Sequence, residues 1–383
     1  MHDRRTPRVA PSKPWYVAPA LVLSLAACGG SAKSEDRAGR ADGADDTTPE
    51  TCETNPNLAS CGPAAQVLEL PEGYVSCLAA SASTHGEVAV GSCISLDGSA
   101  WRSVRWDRSG AIAFLDIDGV TQASAVSADG SVTVGSMGAL STGGYRYDTA
   151  LRESVGVGVL AVSADGNVFV GAGFEEQSDW NTIYAVRGHA GQADVERLAP
   201  AAEGLPTMVY DMSRDGRTSV GYARDTELRD RAAYWSEDGA LHFLPEYPGA
   251  VSSEATGANG DGSVIIGTVY MDTTLDVYYP VRWTPDGIER IGDRVGNGAD
   301  VSEDGRRIMI QYGVPELTQA IWTETSEHTI LDWFTPEDFG RPADEALTGN
   351  FAIWALTPDG LAVVGQSYTL DGIGHAFIAR LPE

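Results

Sequence analysis

Residues able to do chemistry sit in five long segments that do not resemble one another: "SCISLDGSAWR", "AGFEEQSDWN", "YARDTELRDR", "TVYMDTTLDVYY" and "QSYTLDGIG". Aromatics (Trp101, Phe174, Trp180, Tyr222, Tyr270, Tyr278, Tyr279, Tyr368) alternate there with carboxylates (Asp97, Glu175, Glu176, Asp179, Asp225, Glu227, Asp272, Asp276). Flat rings beside hydrogen-bond acceptors can stack sugar rings or hold a basic peptide. Two such carboxylates, brought together with one kept protonated, could instead cleave a glycosidic bond. Other chemistries lack their residues: there is no Gly-x-x-x-x-Gly-Lys, His-Glu-x-x-His or Gly-x-Ser-x-Gly. His189, His242, His328 and His375 fall in separate segments that would not converge, and His85 lies in a turn. The many Asp-Gly turns offer one or two oxygens each, where calcium takes about six to eight. No metal and no cofactor are expected.

The elements that must carry these segments come from a repeat. "AVSADGSVTVG" recurs as "AVSADGNVFVG", "DMSRDGRTSVG", "GANGDGSVIIG", "DVSEDGRRIMI" and "ALTPDGLAVVG", with a divergent first copy, "SASTHGEVAVG". The turn glycines are Gly86, Gly130, Gly166, Gly216, Gly262, Gly305 and Gly360, about 46 residues apart on average. A period of that size marks a propeller or solenoid. Ser-x-Asp-Gly suits a hairpin turn, with a capping side chain first and a glycine at positive φ last. A second glycine follows five residues later in six copies; the sixth copy has Ile310 instead. Each copy continues with an aromatic-tipped strand ("SVRW", "GYRY", "AAYW", "PVRW") and a shorter fourth strand, without helical periodicity. Small residues before each turn suit the crowded inner strand of a propeller blade. The fold expected is all-β: a seven-bladed β-propeller of four-stranded blades over residues 67–383. The last repeat is one strand short, and Val67–Pro71 should complete it by pairing with the strand around His375–Arg380, which removes the free edges.

These repeats resemble the extracellular repeats named for a His-Ala-Phe signature, the HAF family. The last copy carries the triplet as His375-Ala376-Phe377, which has drifted to Ala232-Ala233-Tyr234 in the fourth. The resemblance implies an exported, β-rich repeat protein and no particular activity. The N-terminus agrees with export. Arg4, Arg5, Arg8 and Lys13 precede a short apolar run ending in "LAAC", which resembles the lipobox of bacterial lipoproteins. That resemblance implies cleavage after residue 27 and lipidation of Cys28, so the membrane is a partner through this anchor. Gly29 and Gly30 favour the outer membrane or cell surface over inner-membrane retention. Residues 28–66 are rich in Gly, Ala, Asp and Thr and too poor in large apolar residues to order themselves, so they read as a flexible tether. The chain has 54 acidic and 26 basic residues, a net charge of −28, a field that repels nucleic acid and anionic lipid. A monomeric head is expected.

Four further cysteines, Cys52, Cys61, Cys77 and Cys93, read as two disulfides in an exported chain. A three-residue hairpin loop at Thr84–Gly86 would set Cys77 opposite Cys93 at a hydrogen-bonded site, about 5.5 Å between Cα atoms, leaving Cys52 for Cys61. After the sixth repeat an insertion, "DWFTPEDFGRPADEALTGNFA", carries Trp333, Phe334, Glu337 and Asp338. Thr335-Pro336 with following acids predicts a short helix, and its aromatics are expected to pack as a lid beside the channel mouth. Together these residues suggest a surface-anchored recognition or scaffold protein that binds glycan or protein on its loop face. The alternative is a carbohydrate-active hydrolase or lyase, which requires a convergent carboxylate pair with a raised pKa.

Overall fold

The computed structural model describes residues 64–119, 121–138, 143–148, 152–175, 180–192, 194–313, 318–339, 351–369 and 372–382. The expectations for the signal segment, most of the tether, Cys28, Cys52 and Cys61 lie outside the described residues, as do Glu176 and Asp179.

The repeated turn folds as its chemistry dictates. In the second copy the Ser127 hydroxyl donates to Asp129 at 2.8 Å and accepts the Val132 amide at 2.9 Å, while Gly130 takes φ +74°. The same side-chain cap recurs at Ser83, Ser163, Ser213, Asn259, Ser302 and Thr357. Each turn joins two antiparallel strands, and two more follow. β1 (Ala64–Val67) precedes the first such group, β2 (Tyr74–Ala82), β3 (Val88–Ser95), β4 (Trp101–Asp107) and β5 (Ile112–Phe114). Then come β6 (Thr121–Val126), β7 (Thr133–Met137), β8 (Gly143–Tyr147) and β9 (Arg152–Val155). The third group is β10 (Gly158–Val162), β11 (Val168–Phe174), β12 (Ile183–His189) and β13 (Glu196–Arg197). The fourth is β14 (Thr207–Met212), β15 (Ser219–Arg224), β16 (Asp230–Trp235) and β17 (Leu241–Phe243). The fifth is β18 (Ser252–Ala258), β19 (Ile265–Tyr270), β20 (Tyr278–Thr284) and β21 (Gly287–Arg290). The sixth is β22 (Gly296–Val301), β23 (Ile308–Tyr312), β24 (Thr318–Trp322) and β25 (Glu327–Thr329), and β26 (Phe351–Leu356), β27 (Ala362–Tyr368) and β28 (Gly374–Arg380) end the chain.

The architecture is a β-propeller with four-stranded blades. The expectation of seven separate blades is corrected: five stand alone as four-stranded sheets, β6 to β25. The other eight strands form one sheet in the order β26-β27-β28-β2-β3-β4-β5, with β1 also on β28. Gly374 is the reason the sheet continues. With no side chain there, β28 reaches β2 in a parallel bridge to Ser76, and buried Gln366 donates to Ser76 Oγ at 2.7 Å and to the Cys77 carbonyl at 2.9 Å.

An N-terminal strand does pair with β28, but it lies earlier than expected. β1 runs antiparallel from Ala64 opposite Arg380 to Val67 opposite Phe377, so Ala64–Gln66 belong to strand rather than tether. The pairing ends after Leu68, whose amide donates to the Ala376 carbonyl. Glu69 then turns away: its amide donates to Gly110 and its carbonyl accepts from the Trp106 indole at 2.9 Å. Residues 69–71 are thus held to β4 and β5 rather than to β28.

Every inner strand carries a bulge shortly before its turn, for instance between Ala79 and Ser81 and between Gly298 and Asp300, and β2 has a second irregularity between Tyr74 and Ser76. The bulge explains the trailing glycine. A Cβ on Gly91, Gly171, Gly221 or Gly267 would overlap a carbonyl oxygen of the bulged strand opposite. In the sixth repeat Ile310 faces Gly298, whereas Gly221 faces Val209 and Gly267 faces Ala255. The missing side chain has moved to the partner strand.

The first bulge also decides the disulfide. Cys77 and Cys93 are bonded and directly opposed, as the register predicts, but their Cα atoms are 4.0 Å apart. The turn pairs Ser83 with Val88, one residue longer than expected, and the bulge at Ala80 cancels the difference. Opposition survives while the alternation inverts, placing the bridge at a non-hydrogen-bonded pair.

Candidate functional site: the channel lining

The inner strands β2, β6, β10, β14, β18, β22 and β26 each touch the next, and β26 touches β2, so they close around a central channel. Their turns form a second ring of backbone hydrogen bonds. Thr84 donates to Ala128, Ala128 to Ala164, Ala164 to Arg214, Asp215 to Gly260, Gly260 to Glu303 and Glu303 to Pro358. Pro358 has no N–H to pass on. At that junction His85 Nδ1 meets Asp359 at 3.0 Å, so the histidine that replaces the repeat's aspartate links the first turn to the last.

Bulge residues occupy the channel edge of each inner strand: Ala80, Ser124, Leu160, Tyr210, Thr256, Ala299 and Trp354. Most are small, but Tyr210 and Trp354 are not. Tyr210 donates to Glu254 Oε2 at 3.2 Å, and Tyr270 donates to Glu254 Oε1 at 2.6 Å. Tyr222 stands 6.1 Å from Tyr210, ring to ring. Phe174 and Leu160 pack with both of these tyrosines against Ala172, Ile183 and Met208. Two tyrosines, from β14 and β19, thereby hold one half-buried carboxylate near the connector end of the channel, and Tyr210 joins it to the packed cluster of Tyr222 and Phe174. Burial pushes the Glu254 carboxyl upward, against the two phenol hydrogen bonds that pull it down. Burial likewise pushes the Tyr210 and Tyr222 hydroxyls well up, so they remain protonated donors.

Two aspartates lie closer to the turns. Asp211 and Asp300 occupy equivalent positions, two residues before the capping serine, where the other repeats have Ser81, Ala125, Ala161, Gly257 and Ala355. Asp211 Oδ2 accepts the Ala258 amide at 3.1 Å, and Asp300 Oδ2 accepts the Leu356 amide at 2.8 Å. Each carboxylate therefore fastens its inner strand to the next. Burial raises Asp211 to about 6; burial and the neighbouring Asp211 charge raise Asp300 to about 7. The Arg214 guanidinium is pulled down by burial and held up by Asp211, Glu303 and Asp300. Its buried Nε and Nη2 have no hydrogen-bond partner among the described residues. A carboxyl that can give or take a proton near neutral pH, beside a second carboxylate and an arginine, is equipped for acid–base work or for hydroxyl recognition.

The residues expected from the sequence are only partly brought together. Tyr270 reaches Glu254, while Phe174 and Tyr222 pack with Tyr210, which also reaches it. Trp101 starts β4 opposite Ile94, away from this cluster. Tyr279 lies under the Arg290 guanidinium at 3.5 Å, on the outer half of its sheet. Trp180 begins a one-turn 3-10 helix, Trp180–Thr182, and its side chain lies outside the described residues.

The described part of the insertion corrects the lid expectation. Its short helices are 3-10 turns at Ile330–Asp332 and Pro336–Phe339, and the second packs on outer strand β1. Phe334, 4% exposed, is committed to a core with Met309, Ile321, Phe339 and Phe377 rather than offered to a ligand. Trp333 packs on that core and on His328, 5.3 Å away. Asp338 caps its own turn, accepting from the Thr335 amide at 2.7 Å and hydroxyl at 3.0 Å, and Glu337 is exposed. The segment covers the seam between β22–β25 and β26–β28. Asp344 lies outside the described residues.

Sequence reasoning missed Glu254, Asp211, Asp300, Tyr210 and Trp354. A signal existed: inner strands otherwise made of small residues carry acids or large aromatics at a few positions, "YDMS", "SEATGAN", "ADVS" and "WALT".

No family model matches the chain, and no curated protein matches it. Solved structures share its fold. An oligogalacturonate lyase in complex with manganese is 14% identical with a TM-score of 0.56, over 84% of this chain and 97% of its own. The oligogalacturonate lyase of Vibrio parahaemolyticus is 12% identical, TM-score 0.54, over 84% and 98%. The β-propeller domain of the Trilobed protease from Pyrococcus furiosus is 13% identical, TM-score 0.54, over 80% and 95%. At these identities the likeness is one of fold.

Proposed function

We propose that this chain is a surface-anchored recognition lipoprotein built of HAF-type repeats, which binds glycan or protein at the connector end of its channel. The observation that carries the reading is the convergence of Tyr210 and Tyr270 on Glu254, with Tyr222 and Phe174 packed beside Tyr210. Aromatic faces with one acceptor that two neighbouring hydroxyls hold in place suit a stacked, hydroxylated or basic ligand. In this reading the eight-stranded sheet counts as two blades sharing an edge, giving seven. Cys28 carries the lipid, residues 29–63 hold the head off the outer membrane or cell surface, and the strongly acidic chain excludes nucleic acid as a partner. Tested with a glycan panel and a set of basic peptides, the purified protein binds a member of one set. Tyr222→Ala and Glu254→Gln each weaken that binding while melting stays cooperative. Unchanged binding in both variants removes the site.

A second reading, a carbohydrate-active enzyme, is favoured by Asp211 and Asp300, whose raised pKa values supply the acid that the alternative requires. Two lyases of oligogalacturonate share the propeller fold. The second reading predicts product release from an acidic oligosaccharide, abolished in Asp300→Asn; binding without turnover across the panel supports the first.

A further inference from the structure

Trp354 is the feature that packing does not explain. It is the bulge residue of β26, fourth of six, and is 39% exposed in the middle of an inner strand. β26 has β27 along one edge, and its flanks are covered by β22 and β2. The remaining edge faces the channel, so the indole meets solvent there. Two residues further along β26, about 7 Å on, the Leu356 amide donates to Asp300 Oδ2 at 2.8 Å. Asp300 in turn senses Asp211 and Arg214, whose Nε and Nη2 are buried and unpartnered among the described residues. The neighbourhood thus holds an exposed indole face and the half-buried carboxyls of Asp300 and Asp211.

We propose that the channel is a subsite for a neutral sugar residue of an oligosaccharide, stacked on Trp354 with its hydroxyls shared between the half-buried carboxyls of Asp300 and Asp211. The inference rests on the glycan arm of the recognition reading and extends it inward from Glu254. The chemistry discriminates among occupants. An apolar group would cover two half-buried carboxyls and return no hydrogen bond. A uronate or phosphate would face Asp211, Asp300 and Glu303 against one arginine. A sugar hydroxyl both donates and accepts, so it can serve a carboxyl in either protonation state, while the ring's C–H face covers the indole.

The test uses the full chain with maltohexaose, cellohexaose and chitohexaose, with hexagalacturonate and hexalysine as contrasts, read by calorimetry and by tryptophan emission. At least one neutral hexasaccharide is expected to bind and to change the emission. Trp354→Ala should weaken it about threefold to tenfold and abolish the emission change, while Trp354→Phe restores part of the affinity. Melting curves of both variants verify folding, and a misfolded Ala variant leaves the Phe variant and the wild-type emission change as readouts. If a neutral sugar binds wild type and Trp354→Ala equally, the channel subsite is overturned while recognition at Glu254 stands. Binding of hexalysine alone, or of hexagalacturonate in preference, overturns the subsite. No binding by any oligosaccharide overturns both it and the glycan arm.

Discussion

Asp300→Asn tests whether the paired channel carboxyls set the pH dependence of stability. In the folded chain Asp300 titrates at about 7 and Asp211 at about 6, against 3.8 for the ordinary group. Both folded values are raised, so the folded state binds more protons than the unfolded chain between pH 4 and pH 7. The stabilisation is complete below pH 4 and is lost as pH rises through the folded values. Between pH 5 and pH 8 a group at about 7 gives up about 2–3 kcal/mol, and one at about 6 gives up about 1. Glu254, also raised by burial, adds in the same direction. The carboxylates of the turns do not interfere in this window. Asp129, Asp165 and Asp261 are held below the usual range by serine, asparagine and backbone donors, so their contribution is lost only as pH falls below about 4. Urea denaturation of the disulfide-intact protein is therefore expected to show a loss of about 3–4 kcal/mol from pH 5 to pH 8. Asp300→Asn keeps an oxygen for the Leu356 amide but cannot ionise. It should match wild type below pH 4, gain about 2 kcal/mol on it between pH 5 and pH 8, and remove more than half of the slope. A variant destabilised equally at both pH values would refute the reasoning, because Asp300 would then be needed as a charged acceptor.

Deleting Ala64–Val67 exposes the outer edge of β28 and frees Leu68; scanning calorimetry should show a loss of about 5 kcal/mol, roughly 10 °C, and no loss would remove β1 from the ring. Non-reducing peptide mapping should recover Cys77 joined to Cys93, and a Cys61–Cys77 peptide would contradict the register. Gly221→Ala forces a Cβ onto the Met208 carbonyl and should cost about 1–3 kcal/mol in urea denaturation; a neutral result would mean that the bulge yields. Ser127→Ala removes a buried hydroxyl that serves Asp129 and the Val132 amide, at a cost of about 1–2 kcal/mol, and an unchanged midpoint would show the cap to be dispensable.

Local chemistry was legible because it repeats. Ser-x-Asp-Gly wrote its own turn, and the aromatic-tipped third strands announced their role: Trp106, Trp235 and Trp283 each donate an indole N–H to the carbonyl of a neighbouring group's outer connection. What escaped notice depended on geometry that no single copy contains. The bulge is silent in sequence, yet it shifts parity at Cys77–Cys93 and moves the glycine from position 310 to Gly298. The candidate site was misplaced for a related reason. Attention to variable loops found Phe174, Tyr222 and Tyr270, but Glu254, Asp211 and Asp300 lie on inner strands, where departure from the small-residue pattern is the informative sign. Phe334 and Phe339 of the insertion are buried against β1 and the adjacent sheets rather than over the channel.

The junction between the last turn and the first differs from its neighbours in what it is made of. Six turn-to-turn links are backbone to backbone, and no substitution short of proline can erase one. At Pro358 the turns themselves meet through side chains, His85 with Asp359, while the strands of the same junction are joined by the backbone bridge between Gly374 and Ser76. Around this ring, heritable change has unequal purchase. A single substitution can loosen, tighten or retune that one junction while the other six keep their backbone links. It is therefore where substitution can retune a contact between turns without touching the strand pairing that joins the last repeat to the first.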